Sequence, residues 1–350
     1  MRKKFFMLGF ITIVGLSLSS CSSFDETEYA APTPQSEVAQ TRTPSMTEDA
    51  AMQDFFSNVD ELCTEYAKPS VYGIGAKCGK GILIGAADAT AGAIGYAVGS
   101  VWGACKYAVK FSIMYADYLN YIEKKMAEPG METKGNLYAP NLSGPVDPKA
   151  IDGVVFNRKD MTLILADTTR QLKFVDSVGC HHNNLITSLR KSNKSYVDAN
   201  GKMDIDGLNR DLQHKTMFIK LGTVDDDLDS IAQENLQKND IEAIESATRQ
   251  FETSFIRSFD PSYDIDFAKS YKIARMNSLD KLNIDKSLYD DIGRFSERII
   301  TMSSHLSNTE VINFCKGLDT RINASNLDNG RKNIFKIYNN IFANSFYYWE

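Results

Sequence analysis

Residues 81–105 read GILIGAADATAGAIGYAVGSVWGAC. Asp88 is the one charged residue among them, and glycines stand at 92, 95, 99 and 103. That spacing of three, four and four puts Gly92, Gly95, Gly99 and Gly103 on one face of a helix. The face is a shallow groove where another backbone can approach closely. Each glycine inside a helix costs about 1 kcal/mol relative to alanine. Four of them therefore imply a compensating close contact. Three structures satisfy that demand: a buried central helix in a bundle, a membrane-inserting glycine zipper, and a glycine-rich phosphate loop. The last lacks any P-loop or G-x-G-x-x-G pattern. Lys77, Lys80, Lys106 and Lys110 flank the run and leave 17 uncharged residues between Asp88 and Lys106, the lower limit for a membrane span. The buried-helix reading makes the chain an all-α, multi-helix bundle built around this Gly/Ala-rich helix.

The surrounding sequence has the helical period. Thr47 is placed to cap a helix, with Glu48 and Asp49 in its first turn. Met52, Phe55, Phe56, Val59, Leu62, Cys63 and Tyr66 then recur at helical spacing. Beyond Cys105 the apolar pattern continues as one helix through Trp102, Tyr107, Phe111, Met114, Tyr118 and Ile122. Tyr96, Tyr107, Tyr115, Tyr118 and Tyr121 make that helix aromatic, which suits a core and also a sugar-stacking platform. Residues 128–153 hold Pro129, Pro140, Pro145 and Pro148 among glycines, and predict a long loop that could divide the body in two. Asp160 to Lys191 is expected to be helical, with Gly153–Phe156 as the best short strand. The last helix is expected from about Asn329, with Ile334, Ile337, Tyr338, Ile341 and Phe342 on its core face. Asp225–Asp229, Asp240, Asp264 and Asp285 read as acidic helix starts.

The chain has 350 residues, 43% of them hydrophobic, enough for a globular core. Lys and Arg number 39 against 45 Asp and Glu, a net charge of −6. An acidic balance argues against nucleic acid as a partner, which requires a basic stripe. No C-x-x-C and no H-E-x-x-H occurs, so neither a metal nor a cofactor is expected. Residues 198–207, DANGKMDIDG, approach a calcium loop. With Gly207 at loop position six, however, Lys202 falls at position one and Gln213 at twelve, so the register fails and a turn is expected. Cys63 and Cys78 are the favoured disulfide pair among Cys63, Cys78, Cys105, Cys180 and Cys315.

Candidate functional residues cluster at Gly179-Cys180-His181-His182-Asn183. Adjacent histidines point about 100° apart on a helix and chelate one metal poorly together. Cys180 beside them is no nucleophile–base dyad, because sequence neighbours on a helix do not face each other. Two readings remain: Gly179 permits close helix packing while His182 and Asn183 bond a neighbouring loop, or His182 marks a site.

Residues 1–20 are an address. Arg2, Lys3 and Lys4 precede an apolar run from Phe5 to Leu18, the pattern of a signal peptide. Leu18-Ser19-Ser20-Cys21 resembles the bacterial lipobox. The resemblance implies diacylglyceryl attachment at Cys21, cleavage before it and acylation of the new amine. Cleavage removes three positive charges and no acid, taking the net charge from −6 to about −9. Residues 21–46 are rich in Ser, Thr, Pro and Glu and read as a flexible tether, leaving 47–350 as the helical domain. The acidic stretch after Cys21 resembles the surface-export signal of Bacteroidota lipoproteins, which implies the outer membrane and its outer face. Val178-Gly179-x-x-His182-Asn183, with the Gly/Ala-rich helix and the aromatic residues 343–349, resembles uncharacterised exported Bacteroidota proteins without an assigned activity. A membrane-anchored protein that binds a partner protein or glycan is the expected function. A membrane-inserting effector using 81–105, and a hydrolase without a recognisable motif, are the alternatives.

Overall fold

The computed structural model describes residues 47–67, 79–128, 137–138, 144–169, 172–216, 239–261 and 266–350, all in one compact unit, Met46–Glu350. The side chains of residues 99–102 are outside that description, as are residues 1–46, Cys78, Asp225–Asp229 and Asp264. The expectations for lipidation at Cys21, for a Cys63–Cys78 bridge and for the side of Gly99 therefore concern undescribed residues.

The architecture is an all-α multi-helix bundle. Its helices are α1 (Glu48–Tyr66), α2 (Lys80–Met126), α3 (Phe174–Arg190), α4 (Ile205–Thr216), α5 (Ile241–Ser258), α6 (Phe267–Asn277), α7 (Lys286–Ser303), α8 (Asn308–Ala324) and α9 (Asn329–Trp349). Short-range polar groups define most starts. The side chains of Thr47, Asp240, Asp266, Asp285, Ser307 and Asp328 each accept from a first-turn amide of their helix. These contacts satisfy donors that the helix leaves unpaired.

The central helix α2 is not straight. Its 47 residues would extend about 70 Å at 1.5 Å per residue. Yet Lys80 Nζ is 2.7 Å from Glu123 Oε1 and 2.9 Å from Asn120 Oδ1. The segment doubles back on itself between Gly95 and Gly103, and its two arms run antiparallel. A Cβ on Gly95 would overlap the Gly103 carbonyl, and one on Gly103 would overlap the Gly95 carbonyl. The glycine face is thus filled largely by the other arm of the same helix. This corrects the expectation of one continuous helix with a foreign neighbour at its groove. The physical reason is that small residues on both sides of the reversal let two backbones touch.

The rest of the groove takes α9. A Cβ on Gly85 would lie 3.3 Å from the Phe342 ring, and one on Gly92 would meet Ile341 and the Ala108 methyl. Helix α9 is buried continuously from Ile334 to Tyr347, so the fold has two central elements. On one side Phe55, Phe295 and Phe335 meet across α1, α7 and α9, with ring centroids 4.8–5.9 Å apart. On another, Phe251 and Phe255 of α5, with Phe259 just after it, pack on Phe111 and Tyr115 of α2 and on Phe267 of α6. Tyr96, Tyr107 and Tyr115 are core. Tyr118 and Tyr121 are half-buried and stack on each other.

Helix does not form at 160–169 or 172–173, the described part of that stretch. Val155–Asn157 (β1) and Thr162–Ile164 (β2) make an antiparallel hairpin, with Phe156 opposite Leu163. Asn157 Oδ1 accepts from the amides of Lys159 and Asp160, turning the chain, and Met161 adopts a positive φ of 51°. The strand then borrows a side chain as its second neighbour. The Asn344 amide accepts from Leu163 N and donates to Leu163 O. That distant partner overrides the local helical pattern. Residues 198–202 form a turn whose Asp198 carboxylate accepts from the amides of Asn200 and Lys202, with Gly201 at φ +76°.

The N-terminus of α2 is capped from afar. Gly79 offers no side chain there, but the Glu350 carboxylate lies beside Gly79 and bonds the Gly81 amide. Asn308 Nδ2 holds its other oxygen at 3.1 Å. A negative group at this place offsets the helix dipole and an unpaired amide. Glu350→Ala is expected to lower unfolding free energy by about 1 kcal/mol, read from urea melts, with Glu350→Gln losing less. No change in either variant would refute the cap.

Candidate functional site

Helix α3 begins after Lys173, whose amide is held by Asp176 Oδ2 at 2.9 Å. Its amphipathic period turns Val175, Val178, Gly179, His182, Asn183 and Ile186 inward. Gly179 lies against α9 so closely that a Cβ would overlap the Asn340 carbonyl and the Asn344 amide. His181 diverges from His182, as helical neighbours must. It stacks on Phe174 with centroids 5.0 Å apart and planes 4° from parallel. Cys180 Sγ donates to the Leu163 carbonyl at 3.4 Å. Burial raises its pKa above that of a free thiol, so it is not a thiolate nucleophile.

His182 and Asn183 are wholly buried and belong to a polar spine through the core. Asn183 Nδ2 donates to Met161 O at 2.5 Å, in the β1–β2 turn, and to Asn344 O at 2.8 Å. Both amide protons are spent, so Asn183 Oδ1, 2.9 Å from His182 Nδ1, is an acceptor. This places the ring proton on Nδ1 and leaves Nε2 bare. Nε2 is 3.5 Å from Asp88 Oδ2. Asp88, also wholly buried, accepts from Ser345 and Ser112. Ser112 in turn accepts from Trp349 Nε1 at 3.0 Å. The spine therefore joins both arms of α2, α3, α9 and the β-hairpin.

Its charge state follows from desolvation. Burial holds the Asp88 carboxyl well above its usual range, against the opposing pull of the Ser345 and Ser112 hydroxyls. Burial depresses His182 to about 4, opposed by Asn183 and the Ala108 carbonyl. Burial thus favours the neutral form of each group, and His182 Nε2 and Asp88 Oδ1 are left without a hydrogen-bond partner in the core. A buried pair of this kind titrates as a unit.

Serine, aspartate and histidine meet here, but not as a hydrolytic triad. In a triad the histidine lies between nucleophile and carboxylate. Here Asp88 is the middle member, and Ser345 bonds the acid. All three are sealed from solvent. Other buried charges are paired: Lys110 with Glu252 at 2.7 Å, Lys336 with Asp176 at 2.9 Å, and Arg190 with Asp117 at 2.6 Å. Among the described residues no group of three His, Cys, Asp or Glu is placed to hold a metal.

Sequence reasoning singled out Gly179, His181, His182 and Asn183, and the structure separates His181 from the other three. It overlooked Asp88, Ser112, Asn344, Ser345 and Trp349. Two signals pointed to them. Asp88 is the lone charge in an apolar run, and Asn340, Asn344 and Ser345 are polar on a helix that is otherwise core. Neither a protein-family model, nor a curated protein, nor a solved structure matches this chain.

Proposed function

We propose that the chain is a lipid-anchored outer-membrane protein, exposed at the cell surface, whose helical domain binds a partner protein or glycan without catalysis. One observation supports a binding role over a hydrolytic one. The side chains with catalytic potential, Asp88, His182 and Ser345, are wholly buried together inside the core, with Ser345 bonded to Asp88. The lipobox ending at Cys21 and the tether at 21–46 supply the address. The expected result is palmitate labelling of the full chain, lost in Cys21→Ala together with membrane fractionation. Labelling or membrane retention that survives this substitution would overturn the anchor. Shaving of intact cells with proteinase is expected to digest the domain, and full protection would overturn surface exposure.

A second reading, insertion of the glycine-rich helix into a membrane, has one observation in its favour. Lys80–Val98 is long and apolar enough to span. The same residues are wholly buried against protein, and their groove is filled by Gly103 and α9.

A further inference from the structure

Helix α6 carries a stripe of a kind that the rest of the described surface lacks. Val155, Ile273 and Met276 are the exposed large hydrophobic residues, at 49%, 42% and 56% exposure. Two of the three lie on α6. Lys269 and Lys272 are exposed beside them. The numbers 269, 272, 273 and 276 have the i, i+3, i+4, i+7 spacing of a single helical face. Neither lysine forms an ion pair among the described residues. Asp266, at the head of the helix, spends its carboxylate on the Lys269 amide at 2.9 Å. The chain as a whole is acidic, at −6, so this stripe has the local sign opposite to the molecule.

We propose that α6 rests on an anionic lipid surface, its lysines at headgroup phosphates and Ile273 and Met276 in the interface. This rests on the membrane-anchored reading above. Each lysine near such a surface multiplies affinity about five-fold, so two give about 25-fold. That is marginal for a free protein. It suffices to orient one already confined by a tether, because confinement raises the effective lipid concentration.

The test separates the stripe from the anchor by using the mature full-length chain with Cys21→Ser, which no acyl group can hold. At millimolar lipid it is expected to co-sediment with vesicles containing phosphatidylglycerol, and not with pure phosphatidylcholine. Lys269→Gln with Lys272→Gln is expected to weaken binding about 25-fold, and added salt to mimic it. Ile273→Ser with Met276→Ser is expected to weaken it about ten-fold. These side chains face solvent, so an unchanged circular dichroism spectrum accompanies each loss. Absence of binding to anionic vesicles, equal binding to neutral ones, or binding unaffected by all four substitutions would overturn the proposal. Palmitate labelling at Cys21 reads the anchor independently of these outcomes.

Discussion

Gly103→Ala is expected to destabilise the domain by about 3–5 kcal/mol, the upper end for overpacking, and to leave much of the chain unfolded. The new methyl group would overlap the carbonyl oxygen of Gly95. A backbone oxygen held in a helix cannot rotate away as a side chain can, so the arms of α2 must separate. Separation opens the seam where α9 lies against Gly85 and Gly92, and the loss spreads to the centre of the bundle. The intrinsic gain of alanine over glycine in a helix, about 1 kcal/mol, does not offset this. A graded series makes the argument specific. Gly95→Ala meets the Gly103 carbonyl and should cost as much. Gly92→Ala meets chiefly the tip of Ile341, which can move, and should cost less. Gly85→Ala meets the Phe342 ring and carbonyl at 3.3 Å and should be the mildest. Urea unfolding followed by circular dichroism measures the series. A Gly103→Ala protein within 1 kcal/mol of the parent would show that the hairpin does not close on this contact.

The glycines were legible as a demand for close approach, but the partner was not. Spacing of 3, 4 and 4 says that a backbone must come near. It does not say that the backbone belongs to the same helix, because periodicity is local and the reversal is a tertiary event. The helix starts were legible where a capping residue precedes a periodic run, as at Thr47, Asp240 and Asp285. The cap on α2 was not, because Glu350 comes from the far end of the chain. Residues 160–169 are not helical for the same reason: the Asn344 amide stands in for a third strand against Leu163. For the candidate site, the VGCHHN segment drew attention to His182 through its residue types. Its real partner, Asp88, was read only as a charge that interrupts an apolar run. A lone carboxyl in such a run has to be neutralised by something. That requirement was visible in the sequence, whereas burial beside the hydroxyls of Ser345 and Ser112, far along the chain, was not.

The Asp88–His182 pair should give the domain a pH profile that neither residue gives alone. In the folded state the pair holds one proton. In the unfolded chain Asp88 reverts to 3.8 and His182 to 6.5. Between about pH 4 and 6.5 the unfolded pair also holds one proton, on the histidine, so the pair adds no slope there. Above 6.5 the unfolded histidine loses its proton, and the folded pair keeps one for as long as the raised Asp88 carboxyl stays protonated. Stability should then fall by about 1.4 kcal/mol per pH unit until the folded carboxyl ionises. Each single variant unmasks one half. In Asp88→Asn the folded His182 pKa of about 4 lies below its unfolded value. The stability it contributes is present above pH 6.5 and is lost as pH falls towards 4, about 3 kcal/mol in all. In His182→Gln the raised Asp88 acts alone. Its contribution is present below 3.8 and is lost as pH rises, beginning well before 6.5. The variants should therefore slope in opposite directions across pH 4 to 6.5, where the parent pair is flat, and the double variant should lose both slopes. Differences between profiles isolate the pair, because the distant ion pairs are common to all four proteins. Urea unfolding at half-unit pH steps measures them. A profile for Asp88→Asn that runs parallel to the parent from pH 4 to 6.5 would show that burial does not raise the Asp88 carboxyl in the folded state.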